Sequence, residues 1–489
     1  MVDTGPGRGE GLSVGGARYP SGPPEHWPSW VPPLAPAPGS VGAGGPAGGP
    51  PDQGGRRSAG IVAGVAVVAL LLVVGAVALA TSGGGEDDTA SGTTSTSSAS
   101  SPTTLVPTLP SVPGLDPNDP GLDPSDDARP LEEVLPGLVD FVEQTRGREF
   151  RTEPVVEPLP EAEFVERFRS VVAGDEQAVR DAGVAPRALG ILDPDSDPVA
   201  VQDDLGEQGV AGFYDPETEE LVVRGDQITP YVETIIVHEL THALDDQYVD
   251  LERPEALAER PDESGFGFLA LTEGTARHVQ VAYEDQLSPD DVLSAQIESL
   301  SSQLGGSSAT PLPLPFSVAT QLPYGNGEVL VDALVDQGGM GAVDAAYEAP
   351  PTTSEQVLDP AAYAAQEPAV AVSAPSADGP VVGEGAFGAV DLRILQVVAD
   401  PSIVTDLLEQ TGPVSPTVAV DPLDGFGGGR YVSWEQGDEA CIRFTAVGDS
   451  GPGAAQVTEI VQGWAAAVGG ADVVPTGGGA GGVTATRCA

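Results

Sequence analysis

Five residues near the middle of the chain, His238-Glu239-Leu240-Thr241-His242, have the types and spacing needed to hold a metal ion and move a proton. On a helix, residues four apart share a face, one turn of rise from each other. His238 and His242 can therefore offer imidazole nitrogens to one ion. Glu239, rotated about 100° from His238, can reach a water on that ion without ligating it. Zinc suits such a site because it accepts nitrogen and oxygen ligands tetrahedrally. Three protein ligands then leave the fourth position for water and substrate. The whole chain holds four histidines, His26, His238, His242 and His278, so an accidental pair in this register would be rare.

The flanks point to the helix that this spacing requires. Thr229 can cap its start, and Pro230 suits the first helical position, where its missing N–H costs nothing. Ile235, Ile236, Val237, Leu240, Ala243 and Leu244 supply apolar bulk. A second buried helix is expected over 263–286, with Phe266, Phe268, Leu269, Leu271, Ala276, Val279 and Ala282. It carries Glu273, whose charge is costly in such a setting unless it is paired or bound to a metal. Two partners are open to it: Arg277 one turn on, or the ion, with Glu263 the next candidate for third ligand. Tyr324 and His278 are candidate donors to a developing oxyanion, although His278, five residues beyond Glu273, lies about 140° round the helix. Asp246, four residues after His242, can orient a ligating histidine or stand as an exposed charge at the helix end.

Around these helices the expected elements make an α+β pattern. Helices are expected over 135–144 and 161–172, and a hairpin with strands at 210–214 and 221–223. Such a hairpin directly before the histidine helix is placed to pair a substrate backbone by strand addition. A loop is expected at 322–327, a short helix over 328–335, and a helix over 386–398. Strands follow at 431–434 and 441–446, then a helix over 454–468.

Outside that region the chain changes character. Residues 1–58 are rich in Pro and Gly and poor in apolar content, the composition of a disordered tail. An uncharged apolar run from Ala59 to Ala80 spans roughly 33 Å as a helix, enough to cross a membrane. Arg56 and Arg57 precede it and Glu86, Asp87 and Asp88 follow, so the N-terminus is expected inside and the rest outside. Ala78-Leu79-Ala80 resembles a signal-peptide cleavage site, but 58 residues is too long a leading segment for one. Residues 81–130, rich in Ser, Thr, Pro and acidic groups, read as a linker. The core is expected over 131–365, and a smaller α+β part over 380–489.

Net charge is −54, from 74 acidic residues against 20 basic ones. Such a balance repels nucleic acid and eases the approach of neutral or mildly positive substrates, although it equally fits a general acidity shared by the proteins of its source. Cys441 and Cys488, the two cysteines, are expected to form one disulfide in an oxidising compartment.

With these residues in place, the part from about 131 to 489 resembles bacterial metallopeptidases of the gluzincin type, the thermolysin-like group that joins H-E-x-x-H to a glutamate on a following helix. The resemblance rests on Ala211-Gly212-Phe213-Tyr214-Asp215, the stretch from His238 to Gln247, and Leu271-Thr272-Glu273-Gly274-Thr275-Ala276. Pro323-Tyr324-Gly325, Gly338-Gly339 and the stretch from Pro350 to Pro360 extend it. The chain departs from that group at Asp359, where a histidine is common, and at Gly429, where an acidic residue is. The resemblance implies one Zn2+ per chain on His238, His242 and Glu273, with hydrolysis of peptide bonds in a peptide or protein substrate. Two other readings stand beside it. One is a surface module that keeps zinc for structure, which would have no need of Glu239. The other is a serine peptidase built on Gly448-Asp449-Ser450-Gly451, which lacks a histidine in a loop of its own.

Overall fold

The computed structural model describes residues 128–489 except 173–174, 209, 226, 252, 254–256, 258–259, 305–311, 405–413, 415–416 and 477–480. The expected tail, the apolar run 59–80 and nearly all of the linker lie outside the described residues. Among the described residues no helix is long and apolar enough to cross a membrane.

The fold is α+β. It begins with α1 (Leu131–Arg146), β1 (Val156–Leu159), α2 (Glu161–Val172), α3 (Glu176–Ala182), α4 (Val184–Leu189) and α5 (Pro198–Gln208). A hairpin of β2 (Gly212–Asp215) and β3 (Glu220–Arg224) leads into α6 (Pro230–Asp246), which carries both histidines. Next come α7 (Ser264–Glu284), α8 (Pro289–Leu304), α9 (Leu314–Gly338), α10 (Met340–Glu348), α11 (Ser354–Leu358) and α12 (Pro360–Ala365). The last part runs β4 (Val381–Ala386), α13 (Ala389–Ala399), β5 (Phe426–Gln436), β6 (Glu439–Gly448), α14 (Gly451–Val468), β7 (Asp472–Pro475) and β8 (Gly482–Cys488).

Two sheets result. The smaller has strand order β1-β3-β2, with β1 parallel to β3 and β2 antiparallel to it, so β2 is an edge. The larger is antiparallel with order β4-β5-β6-β8-β7. In it Cys441 and Cys488 are direct cross-strand partners and form a disulfide, as expected from the sequence.

Apolar side chains gather into two main cores. One joins α1, β2, β3 and α6 through Val142, Tyr214, Val223, Ile236, Val237, Leu240 and Leu244. The larger runs from Leu189 through Leu271, Leu322 and Leu330 to Leu395, Phe444 and Trp464, so the helices after α6 and the larger sheet share one interior. Helix α7 belongs to both, giving Leu271 to the larger core and Val279 to the other.

Several helix ends follow from local chemistry. Thr229 accepts from the Val232 N–H at 3.2 Å and Pro230 opens the first turn of α6. Gly147, at φ 73°, closes α1 in the left-handed conformation that glycine adopts freely. Ser450, the residue of the serine-peptidase reading, caps α14 by accepting from the Gly453 N–H at 3.2 Å.

The structure departs from expectation most at α9. Pro323, Gly325 and Gly327 suggest a loop at 322–327, since proline removes a helical hydrogen bond and glycine disfavours helix. Instead they lie inside one 25-residue helix. Burial overrides propensity there, with Leu322, Pro323, Gly325, Asn326 and Gly327 all in the interior. Near the end of the chain, the expected helix at 386 starts only at Ala389. Ala386 belongs to β4, and Asp391 caps the helix by accepting from the Gly388 N–H at 2.6 Å. Strands β5 and β6 are also longer than expected, because Gly427-Gly428-Gly429 continue β5 without any apolar alternation to announce it.

Candidate metal centre

Helices α6 and α7 pack side by side and bring His238, His242 and Glu273 together in the interior. One ligand atom from each lies within 4.8 Å of the others, an arrangement that can hold a metal ion. The two imidazole Nε2 atoms are 3.0 Å apart, and Glu273 Oε2 is 3.2 Å from that of His238 and 3.7 Å from that of His242. Glu273 is fully buried, and its Oε1 has no hydrogen-bond partner. An orphaned buried carboxylate oxygen is costly unless a cation accounts for it.

The electrostatics say the same. Burial alone would raise the Glu273 carboxyl and lower the His242 imidazole. Their mutual attraction wins, and holds Glu273 down to about 2 and His242 up to about 9. The buried carboxylate thus draws positive charge to the place where the two imidazoles meet it. The donor set, two imidazoles and a carboxylate, suits a borderline-soft divalent ion.

Arg277, the alternative partner for Glu273, turns away to Glu284 and Glu328, each at 3.4 Å. Glu263, the alternative ligand, accepts from the Ser354 N–H at 3.0 Å instead.

Glu239 lies beside the cluster and is 8% exposed. Burial raises its carboxyl, and Glu273 adds to this, while His238, His242 and the backbone N–H of Tyr214 pull the other way. That last contact comes from the edge strand. The Arg224 N–H donates to the Ala211 carbonyl at 2.9 Å, so antiparallel alternation turns the polar backbone groups of Gly212 and Tyr214 away from β3. Glycine is required at 212, since a Cβ there would stand 2.7 Å from Ile235 and 3.3 Å from Glu239.

Tyr324 also reaches the cluster. Its ring stacks on that of His238, with centroids 6.0 Å apart. Burial, then Glu273 and Glu239, raise its hydroxyl well above the ordinary value. A close glycine contact places it there. A Cβ on Gly274 would meet the Gly327 carbonyl at 2.1 Å, and one on Gly327 would meet the Ala270 carbonyl at 2.2 Å. The backbones of α7 and α9 therefore touch beside Glu273.

Two expected site residues are placed elsewhere. His278 is turned to Asp332, with Nδ1 and Oδ1 2.6 Å apart, as its position round α7 implies. Asp246 orients neither histidine. It accepts from the Tyr214 hydroxyl at 2.9 Å and from the Leu251 N–H at 3.1 Å, tying the edge strand to the end of α6.

The residue that does meet a histidine is Gln280, whose Oε1 lies 3.0 Å from His238 Nδ1. Its spacing could have revealed it, because Gln280 stands seven residues after Glu273 and so on the same face of α7.

The fold and site thus define an α+β protein with a buried His-His-Glu group able to hold a metal ion, flanked by a carboxylate and a tyrosine. Comparison with protein-family models, curated proteins and solved structures gives no match to this chain.

Proposed function

We propose that the chain is a zinc metallopeptidase of gluzincin type, anchored by the run 59–80 with its catalytic part outside the cell. The observation that carries this is the position of Glu239: beside three converging ligand atoms, on the same helix as two of them, and engaged with none as a ligand. A site that held zinc only for structure would not need a second carboxylate at that place.

Zinc bound by His238, His242 and Glu273 supplies acidification of water and polarisation of the scissile carbonyl. Glu239 takes the proton of the attacking water and returns it to the leaving amine. Its adjustment between burial, which favours the neutral form, and the Tyr214 N–H, which favours the anion, suits a group that must do both. Tyr324, protonated at all working pH, donates to the oxyanion. The outward backbone of Gly212 lies along the site and can pair an extended peptide. The disulfide fits an oxidising compartment and the charge of −54 an approach by neutral or positive peptides.

The test separates ligand from base. Glu239→Gln should retain zinc while losing peptide cleavage, and Glu273→Ala should lose both. Metal content and cleavage of a peptide library are measured on each variant beside the wild type. Full zinc occupancy and turnover in Glu273→Ala would overturn the ligand set, and turnover in Glu239→Gln the mechanism.

A further inference from the structure

The contact between Gln280 and His238 is the end of a longer chain of hydrogen bonds, and its direction can be read. Thr234 lies on α6 one turn before His238, and its Oγ1 donates to the Tyr231 carbonyl at 2.8 Å. A carbonyl can only accept, so the single hydroxyl proton of Thr234 is committed there. Toward Gln280, 3.4 Å away, Thr234 Oγ1 can therefore only accept. The Gln280 amide must then present its nitrogen to Thr234 and its oxygen to His238, 3.0 Å from Nδ1. An oxygen acceptor at Nδ1 requires the proton of the imidazole to be on that nitrogen. In the neutral imidazole, the form that ligates a metal, Nε2 then keeps its lone pair, and it is Nε2 that faces His242 and Glu273.

We infer that Thr234 and Gln280 are positioning residues that fix the tautomer of His238, with the backbone of Tyr231 as the fixed end of the relay. The inference rests on the metal reading of the site. Thr234 is fully buried and Gln280 3% exposed, so no bulk water competes for either group. A neutral amide in this place differs from a carboxylate in one respect that matters. Its two ends are chemically distinct, and without Thr234 it is free to turn its nitrogen toward His238. A carboxylate accepts at both ends and needs no such guide. Because Gln280 stands two turns after Glu273 on α7, one helix face supplies both a ligand and the group that orients another ligand.

The experiment uses the full chain, with zinc affinity measured by chelator competition and the histidine tautomers read from nitrogen-15 spectra of the imidazole rings. Gln280→Leu should weaken zinc about 10- to 100-fold, the usual range for loss of such an outer partner. Thr234→Val should weaken it about tenfold, while Thr234→Ser and Gln280→Glu stay near the wild type. The deciding variant combines Thr234→Val with Gln280→Glu: the loss caused by valine should disappear once the amide is a carboxylate. An equal loss in both backgrounds would mean that Thr234 matters only for packing, and would overturn the inference. So would wild-type affinity in Gln280→Leu. If the wild type held no zinc, the metal reading would fail by itself. The spectra of that same sample would still decide the relay, since a proton on His238 Nε2 with none on Nδ1 refutes it.

Discussion

Replacing Cys441 and Cys488 together by alanine should lower the stability of the folded part by about 4 kcal/mol. The bond closes a segment with a sequence separation of 47, and the chain entropy released in the unfolded state by opening a loop of that length corresponds to about 4 kcal/mol. The described part spans residues 128–489, for which an unfolding entropy of about 2.1 cal/mol/K per residue sums to about 0.8 kcal/mol/K. The expected fall in Tm is therefore about 5 °C. The cross-strand register of Cys441 and Cys488 is already set by the ladder between β6 and β8, so the fold itself should survive. Calorimetry of the wild type and the double variant measures the shift, and zinc content well below the transition should be equal in the two. A fall in Tm under about 1 °C would refute the reasoning, because it would mean that the unfolded chain gains no freedom when the bond is absent.

Other outcomes follow from the site. Gly274→Ala forces a Cβ into the Gly327 carbonyl, so α7 and α9 must separate; a loss of about 1–3 kcal/mol in stability is expected in urea unfolding, with reduced peptide cleavage. Tyr324→Phe should keep zinc, since the tyrosine is not a ligand, and lower kcat about 10²-fold, as loss of one oxyanion donor does. Glu355 answers to pH. Burial, then Glu367, Asp449, Asp359 and Glu263, raise its carboxyl from 4.5 to about 8. Its folded-state value thus lies above the unfolded one, and its contribution to stability is complete below about pH 4.5 and lost as pH rises through about 8. Melting temperatures across that window should fall less steeply in Glu355→Gln than in the wild type.

What could be read from the chain depended on whether the signal was local. The histidine helix was legible because its two histidines, its cap at Thr229 and its apolar face lie within one stretch of sequence. Glu273 was legible as an anomaly, a charge among apolar residues, and its distance in sequence from His238 did not hide it. Tyr324 was found by its residue type, yet its setting was misread. Pro323, Gly325 and Gly327 are poor helix formers, and only the tertiary contact with Gly274 explains why a helix runs through them. Asp246 and His278 differ in this respect. The offset of His278 round its helix already turns it from Glu273, while the partner that holds Asp246, Tyr214, comes from another element, which spacing on one helix does not reveal. Gln280 was missed because an amide carries no charge to betray it in a buried stripe.

The placing of His238, His242 and Glu273 on two helices has a mechanical consequence if they hold an ion. His238 and His242 belong to the helix whose apolar face packs with α1 and the small sheet, while Glu273 lies between Leu271, packed into the larger core, and Val279, packed into the smaller. An ion gripped by all three residues is a rivet through the seam where those two interiors meet. Stripping it would free them to slide along α7, and the first backbone amides to exchange with solvent should be those of α6 and α7 around the rivet, not those of the distant five-stranded sheet. The ion would thus serve the protein twice, once as a chemical agent and once as the fastener that keeps its own surroundings in register.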